Sequence, residues 1–143
     1  MREMTKPEKI IIHCTATRPG QDVTAEDIRS WHLMRGWDDI GYHFICTLDG
    51  DMEGGRPMAF QGAHTKGHNN SIGIAYVGGC DEDGQPCDTL TRKQKGRIID
   101  CVRMLRNLYG PLPVHGHNEF TTLKACPSFD VEEKFGKAWC KQR

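Results

Sequence analysis

Lys9-Ile10-Ile11-Ile12-His13-Cys14-Thr15 is a short β-branched apolar run, bounded by Pro7 and by the Pro19-Gly20 turn signal. Three consecutive isoleucines leave no polar side to a strand, so the run reads as a buried strand. A chain of 143 residues that buries such a strand fits one domain with a single core and has no room for a second. A polar tail over about 1–8 precedes it. His13 sits where the strand runs out, a place that usually holds a small or apolar residue. Taken alone it reads as a hydrogen-bonded core histidine.

The rest of the chain alternates strand and helix signals. Thr24 caps a helix whose first turn carries Glu26 and Asp27 and whose stop is Gly36. Ile28, Trp31 and Arg35 fall on one side of it, with the Arg35 stem able to lie on the Trp31 indole, and His32 reads as structural. Gly41 to Leu48, Asp49-Gly50 and Asp51 to Arg56 read as a β-hairpin, with Tyr42, Phe44, Cys46 and Leu48 on one face of its first strand. Tyr42 stands at the far end of that strand, where a phenol can reach a site instead of the core. Gln61 to Asn70 is a polar loop leading into an apolar strand, Ser71 to Val77. Asp81-Glu82-Asp83-Gly84 lacks the full acid alternation and closing glutamate of an EF-hand and reads as a turn. Thr91 and Gln94 form a capping box for a helix with Ile98, Val102, Leu105 and Tyr109 on its core stripe. Arg92-Lys93-Gln94-Lys95 reads as its solvated start. Leu112-Pro113-Val114 is a short strand, and Asp130 caps a final helix to about Trp139. No repeat is present, and an α/β sandwich around a mostly buried sheet is the economical fold.

Nineteen basic and nineteen acidic residues give a net charge of zero, which supplies no electrostatic footprint for nucleic acid or an anionic membrane. No apolar run is long enough for a signal peptide or a membrane span, so the expected protein is made in the cytoplasm. Seven cysteines, an odd number without a secretory signal, point to reduced thiols. None has C-x-x-C spacing, and Cys46 and Cys101 sit in apolar surroundings as core residues.

Cys126 differs because His115, His117 and Lys124 precede it closely. Imidazole nitrogen and thiolate sulfur are the ligand types that suit zinc. In an extended segment residues two apart face the same way, so Lys124 can accompany Cys126, and His115 and His117 can share a side. Spacing leaves both histidines open as ligands. With this window in the chain, His13 changes from core residue to candidate ligand.

Ile12 to Thr17, Trp37 to Phe44, Asn70 to Ile74 and Lys124-Ala125-Cys126-Pro127-Ser128-Phe129-Asp130 closely resemble, in order, four motifs of the phage-lysozyme branch of the zinc N-acetylmuramoyl-L-alanine amidases. That family shares its fold with peptidoglycan recognition proteins, and the resemblance runs from about residue 9 to residue 139. It implies a single α/β domain with a mixed sheet of about five strands flanked by helices, and one zinc ion held by His13, His117 and Cys126. The family pattern of Gly-His before the Lys-x-Cys-Pro motif is what favours His117 over His115. Tyr42 and Lys124 match the family's catalytic tyrosine and lysine, and His64, Asn70 and Thr15 fall on parts of its groove that meet substrate. One departure is visible: Asn118 stands where the phage enzymes have a second histidine, in a segment one residue longer.

The implied activity is hydrolysis of the amide between N-acetylmuramic acid and L-alanine of peptidoglycan, by a monomer that reaches the cell wall after release or delivery. Three protein ligands leave a fourth zinc position open, as in catalytic sites. The alternatives are a binding module without metal chemistry, which typically lacks the cysteine ligand, and a zinc amidase acting on another amide.

Overall fold

The computed structural model describes residues 1–141, so the last two positions of the domain expected over 1–143 lie outside the described residues. Five strands, β1 (Ile10–Cys14), β2 (Phe44–Cys46), β3 (Met52–Gly54), β4 (Ile72–Tyr76) and β5 (Val114–Gly116), form one mixed sheet in the order β3-β2-β4-β1-β5. Strand β1 lies parallel to both β4 and β5, β2 lies parallel to β4, and only β3 is antiparallel to its neighbour. Helices α1 (Ala25–Met34), α2 (Arg92–Tyr109), α3 (Val131–Phe135) and α4 (Lys137–Cys140) flank it. None of the described helices is long and apolar enough to cross a membrane.

Strand alternation divides the core in two. Ile10, Ile12 and Cys14 of β1 and Ile72, Ile74 and Tyr76 of β4 pack with Ile98, Val102 and Leu105 of α2. On the other face Ile45 and Val77 pack with Ile28 of α1. His13 falls on this second face, opposite Ala75 in register, while Ile11 stands opposite Gly73. Small residues on β4 therefore leave space beside the one imidazole on β1.

Both long helices begin as expected: Thr24 with Asp27 and Thr91 with Gln94 each form a complete capping box. Gln94, however, is not on a solvated surface. It is fully buried, and its amide donates to the Thr47 and Val77 carbonyls at 3.1 and 3.0 Å, joining α2 to two sheet loops. The hairpin forms, but its first strand is only three residues long. Phe44 and Cys46 face α2, whereas Tyr42 and Leu48 pack toward α1, because the alternation stops where the ladder stops. The Arg35 guanidinium lies over the Trp37 ring, 5.6 Å from its centroid. The final helix is two, since Gly136 at φ 97° interrupts it. The polar N-terminal segment lies along the body, with Met4 buried and backbone bonds from Met4 to Ala59 and from Gln61 to Arg2.

Replacing Gln94 with leucine leaves the Val77 carbonyl unpaired and removes one of the two donors to the Thr47 carbonyl, which Gly50 N–H still serves, and should cost roughly 1–3 kcal/mol. Urea denaturation checks this, and an unchanged midpoint contradicts the role given to Gln94.

Candidate metal centre

The site forms where β1 and β5 end. His13 is 1% exposed at the end of β1, His117 opens a 3-10 turn (His117–Glu119) directly after β5, and Cys126 follows on a turn-rich segment. One ligand atom from each lies within 4.8 Å of the others. His13 Nδ1 is 3.7 Å from Cys126 Sγ, close to the roughly 3.6 Å that separates nitrogen and sulfur ligands around one tetrahedral zinc. The Cys14 backbone N–H donates to Cys126 Sγ at 3.1 Å, binding the late loop to β1.

Strand register separates the two candidate histidines. His115 pairs with Ile11 of β1, one step short of the site, and its Nδ1 meets Glu119 Oε1 at 2.9 Å. The His117 ring instead lies 4.7 Å from the His13 ring, centroid to centroid. His117 thus joins the cluster and His115 does not.

Asn118 holds the loop together. Its side chain donates to the Ala125 and Phe129 carbonyls at 3.3 and 3.1 Å, and its backbone N–H donates to the Cys126 carbonyl at 2.8 Å. From β4 the Tyr76 hydroxyl donates to the Pro127 carbonyl at 2.6 Å. Ala16 and Ser128, flanking the cluster, hold φ of 54° and 73°, a left-handed strain that non-glycine residues tolerate where surroundings over-determine the backbone. Sequence reasoning missed these supports. The position of Asn118 between a ligand and the Lys-x-Cys segment was the one available signal.

Thr15, Tyr42, Lys124, His117 and Cys126 line one cavity of about 200 Å³, closed on the α1 side by Trp31, His32 and Arg35. The half-buried Tyr42 ring stands 5.1 Å from that of His13. Thr15 Oγ1 accepts from Gly78 N–H at 3.0 Å. His64 and Asn70 are not among the residues that line this cavity. His64 lies behind His13, with its Nδ1 2.9 Å from His13 Nε2. Asn70 donates to the Lys6 carbonyl and lines a separate cavity with Met1, Arg2 and His68. The residue that shapes the loop is Asn69, whose side-chain oxygen accepts from the His64 and Thr65 N–H groups at 2.8 and 2.9 Å.

Electrostatics suit a cation. Burial, followed by the neighbouring His64 and His117 rings, holds the His13 pKa well below its usual value, and burial followed by Lys124 lowers that of His117. Neutral imidazoles have lone pairs to offer. The Cys14 thiol and burial push the Cys126 thiol up, against the pull of the Cys14 N–H and of Lys124. A cation among the three reverses that balance, because a coordinating thiol is deprotonated. Burial, and after it the Cys126 and Cys14 sulfurs, raises the Tyr42 phenol, which keeps it a hydrogen-bond donor at neutral pH. Two imidazoles and one sulfur form a donor set that fits zinc, with room for a fourth ligand on the cavity side.

The parallel-centred α/β sheet is an architecture shared with peptidoglycan recognition proteins and amidases. The sequence profile of the N-acetylmuramoyl-L-alanine amidase family matches residues 3–129. The chain belongs to that family. It is 41% identical over 137 residues to the endolysin of Escherichia phage T7, covering 95% of this chain and 89% of that one. Among solved structures, the N-acetylmuramoyl-L-alanine amidase LysC from Clostridium intestinale superposes with a TM-score of 0.80 at 28% identity, covering 100% of this chain and 95% of that one. Bumblebee PGRP-SA superposes with a TM-score of 0.81 at 27% identity, over 99% and 87% of the two chains.

The buried histidines make stability acid-sensitive. Burial lowers His32 to about 4 and also lowers His43 from the usual 6.5. Between those folded values and 6.5 the unfolded chain binds more protons, so stability is full above 6.5 and declines as pH falls below it. The melting temperature of metal-free protein should drop between pH 7.5 and 5, and a flat profile contradicts this.

Proposed function

We propose that the chain is a single zinc amidase domain, active as a monomer, that cleaves the amide joining the lactyl group of N-acetylmuramic acid to L-alanine in peptidoglycan and so degrades the cell wall. The observation that carries the reading is the convergence of His13, His117 and Cys126, the last two of which line the same cavity as Tyr42 and Lys124. Family membership supports the reaction, and the names of the relatives support a lytic role, exercised after release or delivery to the wall. A zinc ion held by these three residues supplies a Lewis acid that makes water easier to deprotonate and polarises the amide carbonyl.

The chain's own groups do the rest. His13, pinned inside the sheet, and His117, at the start of a 3-10 turn, present their rings from two neighbouring strand ends, which fixes their relative position without a long loop. Attack on the amide carbon builds negative charge on the carbonyl oxygen, and stabilising that charge is the main task of such sites. Tyr42 stays protonated and donates a hydrogen bond toward it. Lys124, on the exposed rim two residues before Cys126, brings a positive charge to the same cavity. Tyr42 is also the group placed to relay to the departing L-alanine amine the proton that the attacking water gives up, so that it ends the cycle protonated as it began. Thr15, at the cavity wall, contacts the substrate, while the Trp31 and Arg35 side of α1 bounds the space the stem peptide enters.

Digestion of purified sacculi tests the activity: free L-alanine amino groups should accumulate without new reducing sugars. Binding without product indicates a recognition module instead, and cleavage elsewhere indicates another amidase. Chelation should abolish turnover and lower the melting temperature, with zinc restoring both. His117→Ala should lose bound zinc and His115→Ala should keep it; the reverse pattern overturns the ligand assignment. Tyr42→Phe and Lys124→Ala should retain zinc while kcat falls about a hundredfold or more, by analogy with loss of an oxyanion donor. Near wild-type kcat in either variant, with its metal present, removes that residue from the mechanism.

A further inference from the structure

The His64 ring is held more tightly than a groove residue needs to be. Its Nε2 is 3.1 Å from the Ser71 carbonyl oxygen, its Nδ1 is 2.9 Å from His13 Nε2, and the same Nδ1 is 2.9 Å from Thr65 Oγ1. The backbone makes room for it on two sides: a Cβ added at Gly62 or at Gly73 would fall 2.2 or 2.7 Å from His64 Cδ2. Asn69 clamps the loop at both His64 and Thr65.

These contacts decide where the protons are. A carbonyl oxygen only accepts, so His64 Nε2 carries a proton. A neutral ring then has a lone pair at Nδ1. Among the described residues no carboxylate bonds the ring to support a second proton. Two lone pairs cannot face each other at 2.9 Å, so His13 Nε2 is the donor and His13 Nδ1 is left bare. That bare nitrogen is the one 3.7 Å from Cys126 Sγ. Thr65 Oγ1, 3.4 Å from His13 Nε2, can share the donated hydrogen without changing the outcome.

We propose that His64 is a positioning residue, and not a substrate contact: the chain Ser71 carbonyl, His64, His13 fixes the tautomer of His13 and aims its Nδ1 at the metal. The proposal rests on the zinc reading above. It assigns to an imidazole the role that a carboxylate or a backbone carbonyl usually has behind a ligating histidine, where loss of the partner typically weakens metal binding roughly ten- to a hundredfold. The Gly62 and Gly73 positions follow from it, since both are shaped to the His64 ring.

The wild-type chain can be tested directly. In metal-free, isotope-labelled protein, nitrogen NMR should find His13 protonated on Nε2 and a scalar coupling across the hydrogen bond to His64 Nδ1. A His13 ring protonated on Nδ1, or no coupling, overturns the proposal without any variant. His64→Phe fills the same space with no acceptor and should lower zinc affinity roughly ten- to a hundredfold in competition with a chelator. His64→Gln, which retains an acceptor, should recover part of that loss. A wild-type affinity in His64→Phe overturns the proposal while the zinc reading stands, whereas wild-type protein that binds no zinc overturns both.

Discussion

An imidazole at the buried end of β1 has to be satisfied on both of its nitrogens, and most of the site follows from how that is done. A polar ring inside a sheet costs free energy unless each polar atom finds a partner. His13 meets this from two directions, with His64 and Thr65 behind it and the cluster of Cys126 and His117 in front. The small residues Gly73 and Ala75 on β4 supply the space, and the loop before β4 supplies the ring that fills it. The result joins three distant parts of the chain at one point. The opening strand, the loop before β4 and the segment after β5 all converge on His13.

The late loop depends on β1 in turn. Cys126 accepts from the Cys14 backbone, Tyr76 of β4 donates to the Pro127 carbonyl, and Ser128 donates to Gly79. Lys124 and Cys126 therefore face one cavity although the segment that carries them is irregular. A rigid sheet edge that positions reactive groups carried by loops is a common division of labour in enzymes. Here Asn118 supplies the internal fastening that lets the loop keep its shape.

Much of this is legible in the chain. The isoleucine run, the Thr24 cap, the Thr91 and Gln94 capping box, the hairpin and the core stripe of α2 are local patterns, and the structure repeats them because propensity, periodicity and capping agree. The zinc ligand candidates are legible as residue types, and the family motifs choose among them. What spacing could not supply was direction. Whether His115 or His117 reaches the site depends on where β5 stops and on its register with β1. The face on which Tyr42 lies depends on β2 being three residues long. Gln94 reads as surface because its neighbours Arg92 and Lys93 are charged, yet helix phase turns it inward. The fastening of the loop by Asn69 and the contact of the His64 ring with His13 and Gly73 depend on how the loop packs, which motif position does not give.

In the proposed site a single zinc ion ties β1 to the late loop through two nitrogens and one sulfur. X-ray absorption at the zinc edge of protein reconstituted with one equivalent of metal measures that shell directly. The expected shell is four-coordinate, with one sulfur at about 2.3 Å and the remaining nitrogen and oxygen ligands near 2.0–2.1 Å. A shell without sulfur, one with two or more sulfurs, or a six-coordinate shell of oxygen would contradict it.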